Sequence, residues 1–175
     1  MLFSLSLLVV PGLEIQSVFA QSSFKNGPTV ELITELNAPA GSVPPGAMWV
    51  KINLAHCQAA LYRGASPIKT YPVGVGRKGW ETPVGDFHVF QMVRNPKWKH
   101  PLTEKIFKSG DPGNALGNYW IGFWTDGDMS IGFHGTPQRH SVGQASSHGC
   151  IRMHDRDVQE LFSLVEIGTL VAVTR

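Results

Sequence analysis

Short stretches of alternating apolar and polar residues recur along the chain beyond residue 46. Residues 49–54 and 86–90 alternate between apolar and polar side chains, which predicts half-buried β-strands. Apolar runs rich in β-branched and aromatic residues lie at 60–62, 68–75, 119–123, 129–133 and 170–173. These runs predict further strands, and Asp126-Gly127 between two of them is typical of a hairpin turn.

One stretch near the C-terminal end has the period of a helix instead. A single apolar stripe is formed there by Val158, Leu161, Phe162 and Val165. Asp155 is predicted to cap the N-terminus of this helix and Gly168 to end it, which gives a helix over residues 155–166. The whole pattern predicts a mainly β fold, a small mixed barrel or sandwich, with the helix packed on its outside.

The first 46 residues differ from the rest of the chain. Residues 2–10 are almost wholly apolar, and Val18 and Ala20 fit the small-residue rule for signal-peptide cleavage, although no Lys or Arg precedes them. The apolar run is far shorter than the roughly 20 residues that span a bilayer. We therefore expect export to the periplasm or cell envelope, without a stable membrane anchor; a disordered or core-packed N-terminus is the alternative. The predicted parts are a signal peptide over 1–20, a linker over 21–46 and one globular domain over 47–175.

Composition and charge exclude several classes of protein. Gly (19) and Pro (12) are frequent, which favours many turns over a helical bundle. The formal net charge of +2 is too small to indicate a nucleic-acid-binding surface. Two cysteines exclude a disulfide-rich scaffold and a four-cysteine zinc site. Residues 94–118 form one long loop, and we expect it to be a lid or one wall of a binding groove, since loops of this length are usually functional.

The candidate chemistry lies in the stretch from Ile131 to Met153. A thiol needs a base or a positive charge nearby to become a nucleophile at neutral pH, and Cys150 is the candidate nucleophile. His134 is the candidate base, because it lies at the end of a predicted strand rather than within the loop that follows. Gly149 lets the backbone turn sharply and leaves neighbouring amides accessible, and such amides can stabilise an oxyanion.

Other interpretations of these residues remain open. Cys150 can form a structural disulfide with Cys57, as exported proteins often do. Imidazole and thiolate are also zinc ligands, although the spacing here fits no zinc finger. The residues concerned would be His134, His148, Cys150 and His154. Finally, histidines can be ordinary surface or core residues. We favour that interpretation for His56, His88, His100 and His140, and we expect His154 to begin the helix.

The order of these residues resembles the L,D-transpeptidase catalytic domain, also called the YkuD domain. That family places a His before a Ser/Thr-His-Gly-Cys block, which is followed by an apolar residue and Asn or Arg; here the block is SHGCIRM at 147–153. Residues 71–76 (YPVGVG) and 81–87 (ETPVGDF) resemble the family's Val-Gly and Thr-Pro-x-Gly-x-Phe elements. Residues 114–117 (NALG) resemble its loop before the central strands. The resemblance covers residues 47–175 and implies the family's mainly β fold.

What the resemblance implies chemically is acyl transfer on peptidoglycan stem peptides. Cys150 would form a thioester with the third stem residue and release D-Ala, before the acyl group passes to an amine acceptor. His134 would be the base, with the backbone carbonyl of Gly135 orienting its ring. Backbone amides around His148, Gly149 and Cys150 would form the oxyanion hole.

Two further residues of the block are candidates for substrate binding. Arg152 would hold a substrate carboxylate, a role that suits its fixed charge, or would instead form a salt bridge to Asp155 or Asp157. Ser147 is the second candidate.

Two other functions are compatible with the same residues. An L,D-carboxypeptidase would use the same chemistry with water as acceptor, and a non-catalytic wall-binding module would need no reactive thiol. We expect a monomer that binds peptidoglycan stem peptides, without a cofactor, a metal or nucleic acid.

Overall fold

The computed structural model of the chain describes residues 43–100 and 103–175. The predicted signal peptide and most of the predicted linker lie outside the described residues. The strands are β1 (Met48–Asn53), β2 (Gln58–Arg63), β3 (Ser66–Pro72), β4 (Val75–Gly76), β5 (Gly85–His88), β6 (Gln91–Arg94), β7 (Trp98–Lys99), β8 (Ile106–Phe107), β9 (Tyr119–Thr125), β10 (Ser130–Gly135), β11 (Ala145–Ser147), β12 (Ile151–Met153) and β13 (Leu170–Thr174). One helix, α1 (Asp155–Leu164), lies between the last two strands.

A five-stranded sheet, sheet A, has the order β3-β2-β1-β13-β5. The pair β1–β13 is parallel, with Trp49 of β1 opposite Leu170 of β13. The other neighbours in sheet A are antiparallel. The predicted strands at 49–54, 60–62 and 170–173 all lie in this sheet, and the predicted run 68–75 divides into β3 and β4.

A four-stranded sheet, sheet B, has the order β12-β10-β9-β6. The predicted hairpin is confirmed as the antiparallel pair β9–β10 around Asp126-Gly127. On the other side of β10, strand β12 runs parallel, with His134 opposite Arg152. This pairing brings the candidate base and the stretch that follows the candidate nucleophile onto neighbouring strands.

One apolar core joins both sheets and the helix. Its fully buried side chains include Ile52, Leu61, Ile121, Phe133, Ile151 and Leu161. Burial of each side chain of this size stabilises the fold by about 1.5–3 kcal/mol. On the other face of sheet A, the rings of Trp49 and Tyr62 stack with centroids 4.5 Å apart. The fold is thus mainly β with one packed helix, as predicted, and no closed barrel occurs among the described residues.

The helix is shorter than predicted. His154, not Asp155, is the N-cap residue, because its backbone is extended (ψ 146°) and its carbonyl accepts the first helical N–H bonds. The helix ends at Leu164 rather than at residue 166, since Val165 has already returned to an extended conformation (ψ 163°). The predicted apolar stripe is confirmed, with Val158 completely buried in the core.

The predicted loop 94–118 has some structure of its own. Strands β7 and β8 pair within it, and Trp98 lies on Phe107 with ring centroids 5.7 Å apart. Asn114 is buried, and its side-chain amide donates to the carbonyl groups of Pro96 (2.9 Å) and Lys108 (3.1 Å). These bonds hold the end of the segment in place. Across the described ranges, no helix is both long and apolar enough to cross a membrane.

Candidate active site

The thiol of Cys150 lies beside β10. Its sulfur is 3.8 Å from the carbonyl oxygen of Ser130, and the N–H of Gly132 faces it. Burial raises the pKa of the Cys150 thiol, while the Gly132 amide and the charge of Arg152 act to lower it. A half-buried thiol with a raised pKa is protonated at neutral pH, so it needs a base to react.

His134 has the properties of such a base. It is 4% exposed, and its Nδ1–H donates to the backbone carbonyl of Gly135 at 2.6 Å. Because a carbonyl can only accept, this bond fixes the tautomer and leaves Nε2 as the acceptor nitrogen. Burial, assisted by the charge of Arg152, lowers the pKa of His134 to about 4, against the opposing effect of the carbonyl groups of Gly135 and Ala115. The ring is therefore neutral at neutral pH. Within the described residues no hydrogen bond joins it to the thiol.

The surroundings of His134 come from three other elements. Trp120, its partner on β9, stacks on the ring with centroids 6.2 Å apart. The end of segment 94–118 borders the site, since Ala115 faces the imidazole and Gly117 packs on the backbone of Gly135. Gly135 is also in contact with the carboxylate of Asp155, and a Cβ at this glycine would overlap that oxygen.

The loop before Cys150 is held by its own serine. Ser147 is 1% exposed; its hydroxyl donates to the carbonyl of Cys150 at 2.6 Å and accepts the N–H of Gly149 at 3.1 Å. The hydroxyl proton is thus already used within the loop, and the predicted contact of Ser147 with substrate stays a prediction. The same holds for the oxyanion role of Gly149, whose N–H is engaged here.

A second hydroxyl reaches this loop from far away in the sequence. Thr82 is 2% exposed and donates to the carbonyl of Gly149 at 2.7 Å, while accepting the N–H of Gly76 at 3.1 Å. In the sequence, Thr82 stands out only as part of the block at 81–87. Its contact could not be found from the local pattern, because the two partners are 67 residues apart.

Two arginine side chains place positive charge beside the loop that carries Cys150. Arg152 donates to the side-chain carbonyl of Gln138 at 3.1 Å, and Arg77 lies 2.8 Å from Nε2 of His148. The two guanidinium groups lie close enough for the charge of Arg77 to lower the pKa of Arg152, after the larger effect of burial. In the described part of the chain neither is in ion-pair distance of a carboxylate. The alternative salt bridge from Arg152 to Asp155 or Asp157 does not form; Asp157 pairs with Arg156 instead, at 3.3 Å.

The disulfide and zinc interpretations of these residues find no geometric counterpart among the described residues. Cys57 and Cys150 are free thiols, so the disulfide is not present. Among residues 43–100 and 103–175, no three His, Cys, Asp or Glu side chains are grouped as metal ligands would be. His148 is exposed and lies against the ring of Trp80, with centroids 4.8 Å apart.

Comparison with known proteins identifies the family. The profile of the YkuD family, described as the L,D-transpeptidase catalytic domain, matches residues 47–173. The chain belongs to this family. Membership confirms the resemblance read from the motifs.

Two curated relatives of this L,D-transpeptidase domain come from Bacillus subtilis (strain 168). "Putative L,D-transpeptidase YqjB" is 37% identical over 140 residues, which cover 78% of this chain and 77% of the relative. "Putative L,D-transpeptidase YkuD" is 38% identical over 108 residues, which cover 62% of this chain and 54% of the relative. The chain thus spans about half the length of the second relative.

A solved structure has the same fold. It is that of LD transpeptidase LdtMt1 in complex with imipenem, which superposes with a TM-score of 0.62 at 20% sequence identity. The match covers 73% of this chain and 59% of that chain. At this identity the similarity shows the fold alone.

Proposed function

We propose that the protein is an exported cysteine L,D-transpeptidase that cross-links or remodels peptidoglycan stem peptides. Cys150 is the nucleophile, His134 the general base, and an amine of a second stem is the acceptor. Family membership and the published names of the relatives support the reaction class. The predicted signal peptide supports export to the periplasm or cell envelope.

One observation carries the assignment of roles. The imidazole of His134 is buried, neutral and locked by its bond to the Gly135 carbonyl, on the strand next to the one that follows Cys150. A neutral imidazole with one engaged nitrogen has a free lone pair for a thiol proton. Such catalytic hydrogen bonds are often long in the unliganded enzyme and tighten when substrate is bound.

The proposed reaction has two steps. The sulfur of Cys150 attacks the carbonyl carbon of the third stem residue, and the thiol proton passes to Nε2 of His134. The bond from that carbon to the nitrogen of D-Ala then breaks, and D-Ala leaves as the amine after taking the proton. In the second step an acceptor amine attacks the thioester and gives its proton to His134. The carbon–sulfur bond breaks, and the sulfur regains a proton.

Recognition of the donor stem would use the positive charge beside the thiol. Stem peptides carry carboxylates, and a guanidinium binds a carboxylate with two parallel hydrogen bonds. Arg152 supports this role because its present partner, Gln138, is neutral. We propose that a substrate carboxylate replaces Gln138 on Arg152.

Incubation of the chain with disaccharide-tetrapeptide, followed by mass spectrometry of the products, tests the proposal. A dimer that has lost one D-Ala is the expected product. A tripeptide alone would identify an L,D-carboxypeptidase, and binding without any product would identify a wall-binding module. Cys150→Ala is the inactive control. Cys57→Ala is the matched control for the second thiol and should give the wild-type products.

A further inference from the structure

The two peptide groups on either side of Cys150 are each held by a hydroxyl. Ser147, within the loop, donates to the carbonyl of Cys150. Thr82, from the distant segment between β4 and β5, donates to the carbonyl of Gly149. Both hydroxyls are buried, and that of Thr82 is itself oriented by the N–H of Gly76. The backbone at the nucleophile is therefore fixed from two directions.

The Thr82 contact determines where one amide points. In a trans peptide the C=O and the N–H lie on opposite sides, so a Gly149 carbonyl that faces Thr82 turns the N–H of Cys150 the other way. In the described part of the chain that N–H donates to no protein group. The N–H of Gly149, by contrast, is taken by Ser147. Cys150 thus provides a free donor next to its own sulfur, at the peptide that Thr82 holds.

Gly149 makes this arrangement possible. Its φ of +106° lies in the region that favours glycine, and a Cβ there would lie 3.0 Å from the side chain of Ile131. Because glycine is flexible, the sequence of the loop alone does not hold the peptide in this orientation. The hydroxyl of Thr82 supplies the missing constraint.

We propose that Thr82 is a positioning residue for oxyanion stabilisation: by holding the Gly149 carbonyl it aims the Cys150 N–H at the oxygen of a bound acyl donor. The inference deepens the proposed function and rests on it. Thr82 does not touch substrate in this role. The Thr82 hydroxyl should affect only the rates of reactions in which a carbonyl oxygen gains negative charge, because only those reactions use the Cys150 N–H as a donor.

Two reactions of the same sulfur separate this role from a structural one. In acylation by imipenem, the sulfur attacks the lactam carbonyl, an oxyanion forms, the ring C–N bond breaks and the ring nitrogen takes a proton. In alkylation by iodoacetamide, a C–S bond forms, iodide leaves and the thiol proton is lost, and no oxyanion develops. The rates of both are read from the mass of the peptide that contains Cys150.

Thr82→Val, which keeps the shape and loses the hydroxyl, should slow acylation by at least about tenfold, since loss of one oxyanion donor costs about 10²–10³ in rate. Alkylation of Cys150 should change by less than about threefold, because it needs no such donor. Thr82→Ser restores the hydroxyl and should acylate within about threefold of wild type. Thr82→Ala repeats the loss of the hydroxyl with a smaller side chain.

The matched control is Thr169→Val. Thr169 is also buried, and its hydroxyl accepts the backbone N–H of Glu166 just before β13, so the variant loses a comparable bond outside the loop. It should acylate at the wild-type rate. Alkylation of Cys57, read in the same spectrum, reports any general opening of the fold, since burial raises the pKa of that thiol in the folded chain.

The outcomes are distinguishable. Equal acylation rates of Thr82→Val and wild type would overturn the positioning role while leaving the proposed function intact. An equal fall of acylation and alkylation would assign Thr82 to fold stability alone. A wild-type chain that is alkylated but never acylated would contradict the proposed function, and this inference with it.

Discussion

Replacing His134 with Gln should make the domain less sensitive to mild acid than the wild type. Burial lowers the pKa of His134 from its ordinary value of 6.5 to about 4. In the unfolded chain the imidazole is solvated and takes up a proton near the ordinary value. Between these two pH values the unfolded state binds more protons, so acid favours unfolding. The stability that the neutral ring contributes is complete above about pH 6.5 and is lost as the pH falls toward about 4.

The size of the effect follows from the shift. One pKa unit corresponds to about 1.4 kcal/mol, so the whole shift is worth about 3 kcal/mol, of which about 2 kcal/mol is lost between about pH 7.5 and about pH 5. Gln is uncharged throughout, and its amide can still donate to the Gly135 carbonyl. The difference in unfolding free energy between wild type and His134→Gln should therefore change by about 2 kcal/mol over this pH interval, in favour of the variant at the lower pH.

Urea unfolding followed by tryptophan fluorescence at the two pH values measures this difference. Titration of carboxylates changes the unfolding free energy of both proteins equally, so it cancels in the difference between them. His88→Gln removes an exposed imidazole from β5 and is the control for the loss of a histidine as such. A wild-type-minus-variant difference that stays constant with pH would show that the buried ring does not resist protonation, and the neutral-base argument would be refuted.

Three further predictions concern the site. Cys150→Ala should fold and lose all transfer activity and all imipenem adduct, whereas Cys57→Ala should keep both; an adduct on Cys57 would show that the wrong thiol has been assigned. Activity should survive EDTA, with well under one zinc per chain by metal analysis, and loss of activity with loss of stoichiometric zinc would replace the mechanism with a metal-assisted one. Gly135→Ala should lower stability by about 1–3 kcal/mol because its Cβ meets the Asp155 carboxylate, and Asp155→Ala in the same chain should restore most of the loss in thermal unfolding.

The sequence predicted the long strands because apolar side chains recur along each of them, on one face or on both. Residues 49–54 alternate in sequence, and Val50 and Ile52 of β1 are accordingly buried in the core. The two-residue strands β7 and β8 leave no such pattern and were not predicted. The helix cap was misplaced by one residue because Asp155 has a capping side chain, while in the fold its carboxylate packs against Gly135 instead.

The candidate site, like the fold, was predictable only in part. The order of His134 and Cys150 along the chain, together with the family motif, indicated nucleophile and base. The state of the imidazole was not predictable, since it depends on burial beneath neighbouring strands. The contact of Thr82 with Gly149 was not predictable either, because the two residues are 67 positions apart and their segments are brought together by the pairing of β4 with β11. The local sequence pattern identifies reactive side chains such as Cys150 and His134. A contact such as that of Thr82 with Gly149 depends instead on which distant strands pair in the fold.

The place of β13 in sheet A has a consequence for the order in which the domain can form. The strand lies between β1 and β5, so the first and last strands of the described domain are direct neighbours in the middle of a sheet. Until residues 170–174 have been synthesised, β1 and β5 have no common partner and the apolar face that Val171 and Val173 complete stays exposed to water. Pairing across so long a stretch of chain is slow, because the entropy of closing the loop is lost before the contact is gained. A chain cut before Leu170 should therefore expose its core and bind a dye specific for apolar surface.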